Sequence, residues 1–259
     1  MQENNVNRPT LIQGGQETLC IRVPKVYDWV TRQADIPTLS FNGTPGLGAL
    51  GFNCDGVLGA DPCSFLTGPL TVECIPTDAN GNQIDPLDPD VIALGLIEVR
   101  ELTDPNNRED VTVTLPGPTP RTITLQRVKV LKKGFVRIRV TGASPATGAP
   151  VTCISLPQQW VVTEKFFLCA PRGTRLSVHI TDFQCDAHLF CGPILGATTP
   201  AADTFRQLDV NITMCQDVQM EAIVKLEIDA NFCMPRPEIP FECPPFSVPQ
   251  QCMDIFPTM

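Results

Sequence analysis

VQMEAIVKLEIDANF, residues 218–232, reads as a strand and not as a helix. In an extended chain Met220, Ala222, Val224, Leu226 and Ile228 share one face, and Glu221, Lys225, Glu227 and Asp229 share the other. Helical spacing would scatter those charges into the apolar face. The same rhythm runs back to residue 91 through VIALGLIEVREL, VTVTL, TITLQRVKVL, FVRIRVTG, QQWVVTEKFFLC, TRLSVHITDF and LDVNITMC. Lys132-Lys133-Gly134, between TITLQRVKVL and FVRIRVTG, reads as a hairpin turn with the glycine at positive φ. No segment reads as a helix longer than two turns. The expected fold is all-β, an antiparallel β-sandwich of jelly-roll-like type.

Outside that run the chain is more irregular. Residues 1–19 read as a flexible N-terminal arm, and CIRVPKVYDWVTR, residues 20–32, is strand-like. Gly, Pro and Asn interrupt residues 42–69 too often for a regular element. A short strand, PLTVECIP, follows, and then a turn-rich stretch, DANGNQIDPLDPD, at 78–90. The expected sandwich domain is therefore 20–232, with a loop-rich insertion at about 40–90. The last 25 residues hold seven prolines, which excludes a central strand. Residues 233–259 read as an extended Pro-rich C-terminal arm.

The composition narrows the function. Of 259 residues 42% are hydrophobic and 18% charged, a balance that supports a folded core. The net charge of −9 gives no field to attract phosphate backbones, so nucleic acid is not an expected partner. There is no basic stripe to meet an anionic membrane and no run of 18 apolar residues to cross one. MQENNVNRPTLIQGGQET has no basic region followed by an apolar core, so the chain is expected to be made in a cytoplasm without a secretory signal.

Twelve cysteines sit awkwardly with that location. They point to metal binding, to redox chemistry, or to oxidation after the compartment is lost. Zinc modules bring cysteines in close pairs, but no C-x2-C occurs here. The closest pair is Cys185 and Cys191, with His188 between them at C-x2-H-x2-C spacing; Cys169 or Asp186 would have to complete a ligand set. Scattered thiols fit disulfides better than a cluster, so no metal and no cofactor is expected. Asp182, Asp186 and the 78–90 loop have the oxygens for calcium but not the alternation or terminal Glu of an EF-hand. His179 reads as an ordinary strand residue. G-x-S-x-G, P-loop and H-E-x-x-H signatures do not occur, and no enzyme is expected.

Several phrases carry a resemblance. CIRVPKVYDWVTR (20–32), ITLQRVKVLKKGFVRIRV (123–140), FFLCAPRGTRL (166–176), ITDFQCDA (180–187) and CQDVQMEAIVKLEIDANFCMPRP (215–237) resemble a family of cysteine-containing proteins of endospore-forming Firmicutes, commonly associated with the spore surface. The resemblance covers most of residues 20–237. It implies a structural subunit of the coat, exosporium or a surface appendage. Such a subunit is made in the mother-cell cytoplasm and oxidised after lysis. Its expected partners are itself, as a homo-oligomer, lattice or fibre, and other spore-surface proteins. The alternative is a ligand- or metal-binding β-sandwich module at the same surface.

The cysteine positions give expectations for both kinds of link. Cys20, Cys243 and Cys252 lie near the chain ends and are candidates for intersubunit disulfides. Cys153, Cys169, Cys185, Cys191 and Cys215 lie in the strand-rich region and are candidates for internal bridges or packed thiols.

Overall fold

The computed structural model describes residues 17–115, 121–193 and 203–230. Both expected arms, 1–19 and 233–259, lie outside these residues, except for Glu17–Leu19, which begin the first strand. The chain divides into two compact units, Pro24–Val224 and a second formed by Met1–Val23 with Lys225–Met259. In the second unit the described residues are the outer ends of two long strands.

The elements follow in order: β1 (Glu17–Asn42), α1 (Gly43–Leu50), β2 (Asn53–Cys54), β3 (Val57–Leu58), α2 (Pro62–Phe65), β4 (Thr67–Thr77), β5 (Glu98–Glu101), β6 (Glu109–Leu115), β7 (Arg121–Ala143), β8 (Pro150–Ile154), β9 (Gln158–Leu168), β10 (Arg175–Gly192) and β11 (Thr204–Ala230). Within Pro24–Val224 they form an all-β antiparallel sandwich. The smaller sheet has the order β1-β11-β10. The larger sheet runs β3-β2-β8-β7-β4, with β5, β6 and β9 also paired to β7.

β7 is the spine of the larger sheet. β6, β5 and β4 lie end to end along one of its edges, against residues 121–127, 130–133 and 135–143. β9 and β8 do the same along the other. Its inward row is Val128, Val130, Lys132, Gly134, Val136, Ile138 and Val140, all buried. Facing them are the inward rows of β10 and β11, including Leu208, Val210, Ile212 and Met214. A second cluster gathers Val128, Val130, Phe166, Leu168, Ala170, Val178, Val218 and Met220.

The hairpin expected at Lys132-Lys133-Gly134 does not form. β7 passes straight through it, and Gly134 pairs with Trp160 of β9. The glycine serves a close approach instead of a turn. A Cβ at Gly134 would sit 2.5 Å from Cζ2 of the buried Trp160 ring. Gly134→Ala is expected to destabilise the protein by about 1–3 kcal/mol through overpacking. A lowered urea midpoint checks this, and an unchanged one would mean the indole has room to shift.

Two other segments differ from expectation. VIALGLIEVREL is extended only over Glu98–Glu101. Before it, Gly95 at φ 71 and the amides of Leu96 and Ile97, both bonded to Val91 O, make a turn that buries Val91 and Ile97. Residues 42–69 contain α1, the β2–β3 hairpin and α2 instead of open loop. Gly51, at φ 53, ends α1 with its amide on Leu47 O. The Asp61 carboxylate starts α2, accepting from the Cys63 amide at 2.8 Å. This segment and β4 belong to the same compact unit as β5–β10.

Candidate functional site

Three disulfides dominate the chemistry of the sandwich. Cys54 and Cys153 are direct cross-strand partners of β2 and β8, with Cα atoms 4.0 Å apart. Cys63, in the first turn of α2, bonds Cys191 of β10. Cys74 of β4 bonds Cys185 of β10. In the last two pairs the Cα atoms are 5.6 Å apart, inside the range a disulfide spans. Both join the larger sheet's side of the core to the smaller sheet.

Strand alternation explains why Cys185 and Cys191 do not form a ligand set with His188. Cys185, Ala187, Leu189 and Cys191 line the inward face of β10 and pack on the core. His188 is on the opposite face and exposed, across from Asp209 on β11. Both sulfurs are bonded elsewhere and the imidazole points away from them. Among the described residues no three His, Cys, Asp or Glu side chains gather where they would hold a metal ion.

Of the five cysteines expected in internal bridges or as packed thiols, Cys153, Cys185 and Cys191 are bridged, and Cys169 and Cys215 carry free thiols. Cys215 sits opposite Asp182 in the β10–β11 register and is half-buried. Cys169 lies one residue past β9; its amide donates to Asp28 Oδ2 at 2.7 Å and its side chain is exposed. Among the described residues neither is bonded to a second cysteine. Cys20 is also a free, exposed thiol. Cys243 and Cys252 lie outside the described residues.

The acidic candidates are taken up locally. The Asp78 carboxylate accepts from the amides of Asn80 and Asn82 and from Asn82 Nδ2, all at 2.8 Å. Those hydrogen bonds, Asn82's first, hold its pKa below the usual Asp value. Asp182 accepts from Gln184, and Asp186 is exposed opposite Asn211. His179 is exposed, 3.3 Å from Ser177 Oγ.

A polar cluster in the core escaped the sequence reading. Lys132 of β7, Glu164 of β9 and Gln216 of β11 each interrupt an apolar inward row, and all three are buried. Lys132 Nζ donates to Glu164 Oε2 and to Gln216 Oε1. Gln216 Nε2 donates to the same Glu164 oxygen at 2.8 Å. The Phe166 ring centre is 5.3 Å from Nζ, and Arg32 Nη1 is 3.9 Å from Glu164 Oε1. Burial pushes the Lys132 ammonium below the usual lysine pKa; the Glu164 hydrogen bond and charge oppose that shift only in part. The available signal was one polar residue in each of three apolar rows, V-x-V-x-K, V-x-E-x-F and M-x-Q-x-V.

The fold and its links define the chain as an antiparallel β-sandwich with covalently joined sheets. No family model, curated protein or solved structure matches it.

Proposed function

We propose that this chain is a self-assembling structural subunit of the outer layer of a bacterial spore, or of a spore-surface fibre, with its contacts fixed by disulfides. The structural role is supported by one observation above the rest: six cysteines are used inside the sandwich, while Cys20 and Cys169 carry exposed thiols. A sandwich already locked internally is suited to stay folded while its exposed thiols couple to neighbours. The two edge strands of the smaller sheet, β1 and β10, add a route for strand pairing between copies. The spore setting rests on the sequence resemblance. It accounts for the disulfides, because mother-cell lysis supplies the oxidising surroundings.

The purified full chain is expected to show ordered high-mass assemblies by negative-stain microscopy and on non-reducing gels. Strong reductant is expected to return them to monomer. Cys20→Ser and Cys169→Ser together with Cys243→Ser and Cys252→Ser is expected to abolish the reductant-sensitive ladder. A monomer with and without reductant would overturn the reading and favour the ligand-binding module.

A further inference from the structure

We propose that Lys132 and Gln216 form an intramolecular isopeptide bond, with Glu164 carrying the protons, so that the two sheets are joined by an amide as well as by disulfides. The inference does not depend on the assembly reading. It rests on the coincidence of an amine, a carboxamide and a proton carrier in one dry site.

The three groups are arranged for acyl transfer. A buried amine loses its proton more readily than one in water, so the nucleophilic form is accessible. Nζ already contacts the Gln216 carboxamide oxygen, and the electrophilic Cδ is the next atom. Glu164 Oε2 accepts from both nitrogens, the attacking Nζ and the departing Nε2. It therefore sits where a general acid–base must sit. The flanking inward residues are Val130 and Gly134 on β7, Val162 and Phe166 on β9, and Met214 and Val218 on β11. These positions keep water from the amide.

The step balances without an oxidant or co-reactant. Glu164 takes a proton from the Lys132 ammonium. The neutral Nζ attacks Gln216 Cδ, and the Nζ–Cδ bond forms. Glu164 passes its proton to Nε2, accepts the second Nζ proton and passes that on too, while the Cδ–Nε2 bond breaks. Ammonium leaves, and Glu164 ends as the carboxylate it began as, with Arg32 3.9 Å from its other oxygen as counter-charge. Glu164 itself is the poorer acyl partner, because a carboxylate has no leaving group until it is activated. Preorganised groups and a fixed approach supply the acceleration.

The bond also falls where the disulfides do not. All six bridged cysteines belong to or pack on the larger core cluster, and the cluster around Val128, Phe166 and Met220 contains none. Lys132 lies in the β7 row between the two clusters.

The test is mass spectrometry of the reduced full chain. Its mass is expected to fall short of the sequence mass by one ammonia. Trypsin is expected to release Val130–Lys133 joined to Gln207–Lys225, since an acylated Lys132 is not cut. Lys132→Met and Glu164→Gln chains should have the full sequence mass and separate peptides, with circular dichroism and three disulfides showing that they fold. A wild-type chain at full mass with separate peptides would overturn the proposal. So would the loss of one water, with fragments joining residues 132 and 164. A folded Glu164→Gln chain that still loses ammonia would overturn the role given to Glu164.

Discussion

Replacing Cys63, Cys74, Cys185 and Cys191 together by alanine is expected to lower stability by about 7 kcal/mol, and removing either disulfide alone by about 3. The inequality follows from where the bridges land. Each joins positions more than a hundred residues apart, but Cys54–Cys153 already shortens that loop, so the first of the two to close restricts the unfolded chain by about 4 kcal/mol. The two are nearly redundant, however. With Cys74–Cys185 closed, Cys63 is only eleven residues from one end of the bridge, and Cys191 only six from the other. The second bridge then closes a short loop, worth about 3 kcal/mol. Only when both are gone does the link between α2–β4 and β10 open fully. Urea unfolding of the single and double variants checks this, with a fall in Tm of roughly 15–25 °C for the pair. Singles that add up to more than the pair would mean the stabilisation lies in native contacts of the sulfurs and not in chain restriction.

That redundancy lies beyond what local pattern carries. The strands themselves were legible: β7, β9 and β11 alternate in sequence as they do in the sheet. Alternation reports local geometry, and it survives because each inward row is fixed by its own residues. Partners across 99 to 128 residues leave no such trace. The stretch at about 40–90 reads as an insertion because Gly and Pro break its rhythm, yet it supplies Cys54, Cys63 and Cys74, one half of each of the three bridges among the described residues. Lys132-Lys133-Gly134 failed for a related reason. Two lysines and a glycine suit a solvated turn, and only a tertiary partner reverses that. Trp160 needs the missing Cβ, and Glu164 with Gln216 makes a buried lysine tolerable. The opening stretch shows the limit from the other side. Residues 218–230 are a strand, but the fully buried row stops at Met220, and Leu226 and Ile228 are exposed. Periodicity gave the conformation there and not the depth.

Arg108→Ala is expected to cost about 3–5 kcal/mol. Arg108 lies between β5 and β6 with a side chain 2% exposed. Its guanidinium holds three segments at once. Nε and Nη2 donate to the two oxygens of Glu101 at 2.8 and 3.0 Å, a bidentate pair. Nη1 donates to Ala170 O and to Thr174 Oγ1, both at 2.9 Å, and more weakly to Pro171 O. Nη2 also donates to Thr174 O at 2.9 Å. Truncation would leave the Glu101 carboxylate, 9% exposed, without its counter-charge, and two carbonyls of the β9–β10 connection without donors. Arg108→Lys should recover only part of the loss, since an ammonium cannot reproduce the planar fork. Removing both charges is the sharper check. A Glu101→Met, Arg108→Met chain has no orphaned charge and is expected to be more stable than Arg108→Ala alone. Equal urea midpoints for the two would place the cost in the lost contacts to Ala170 and Thr174 instead of in the stranded carboxylate.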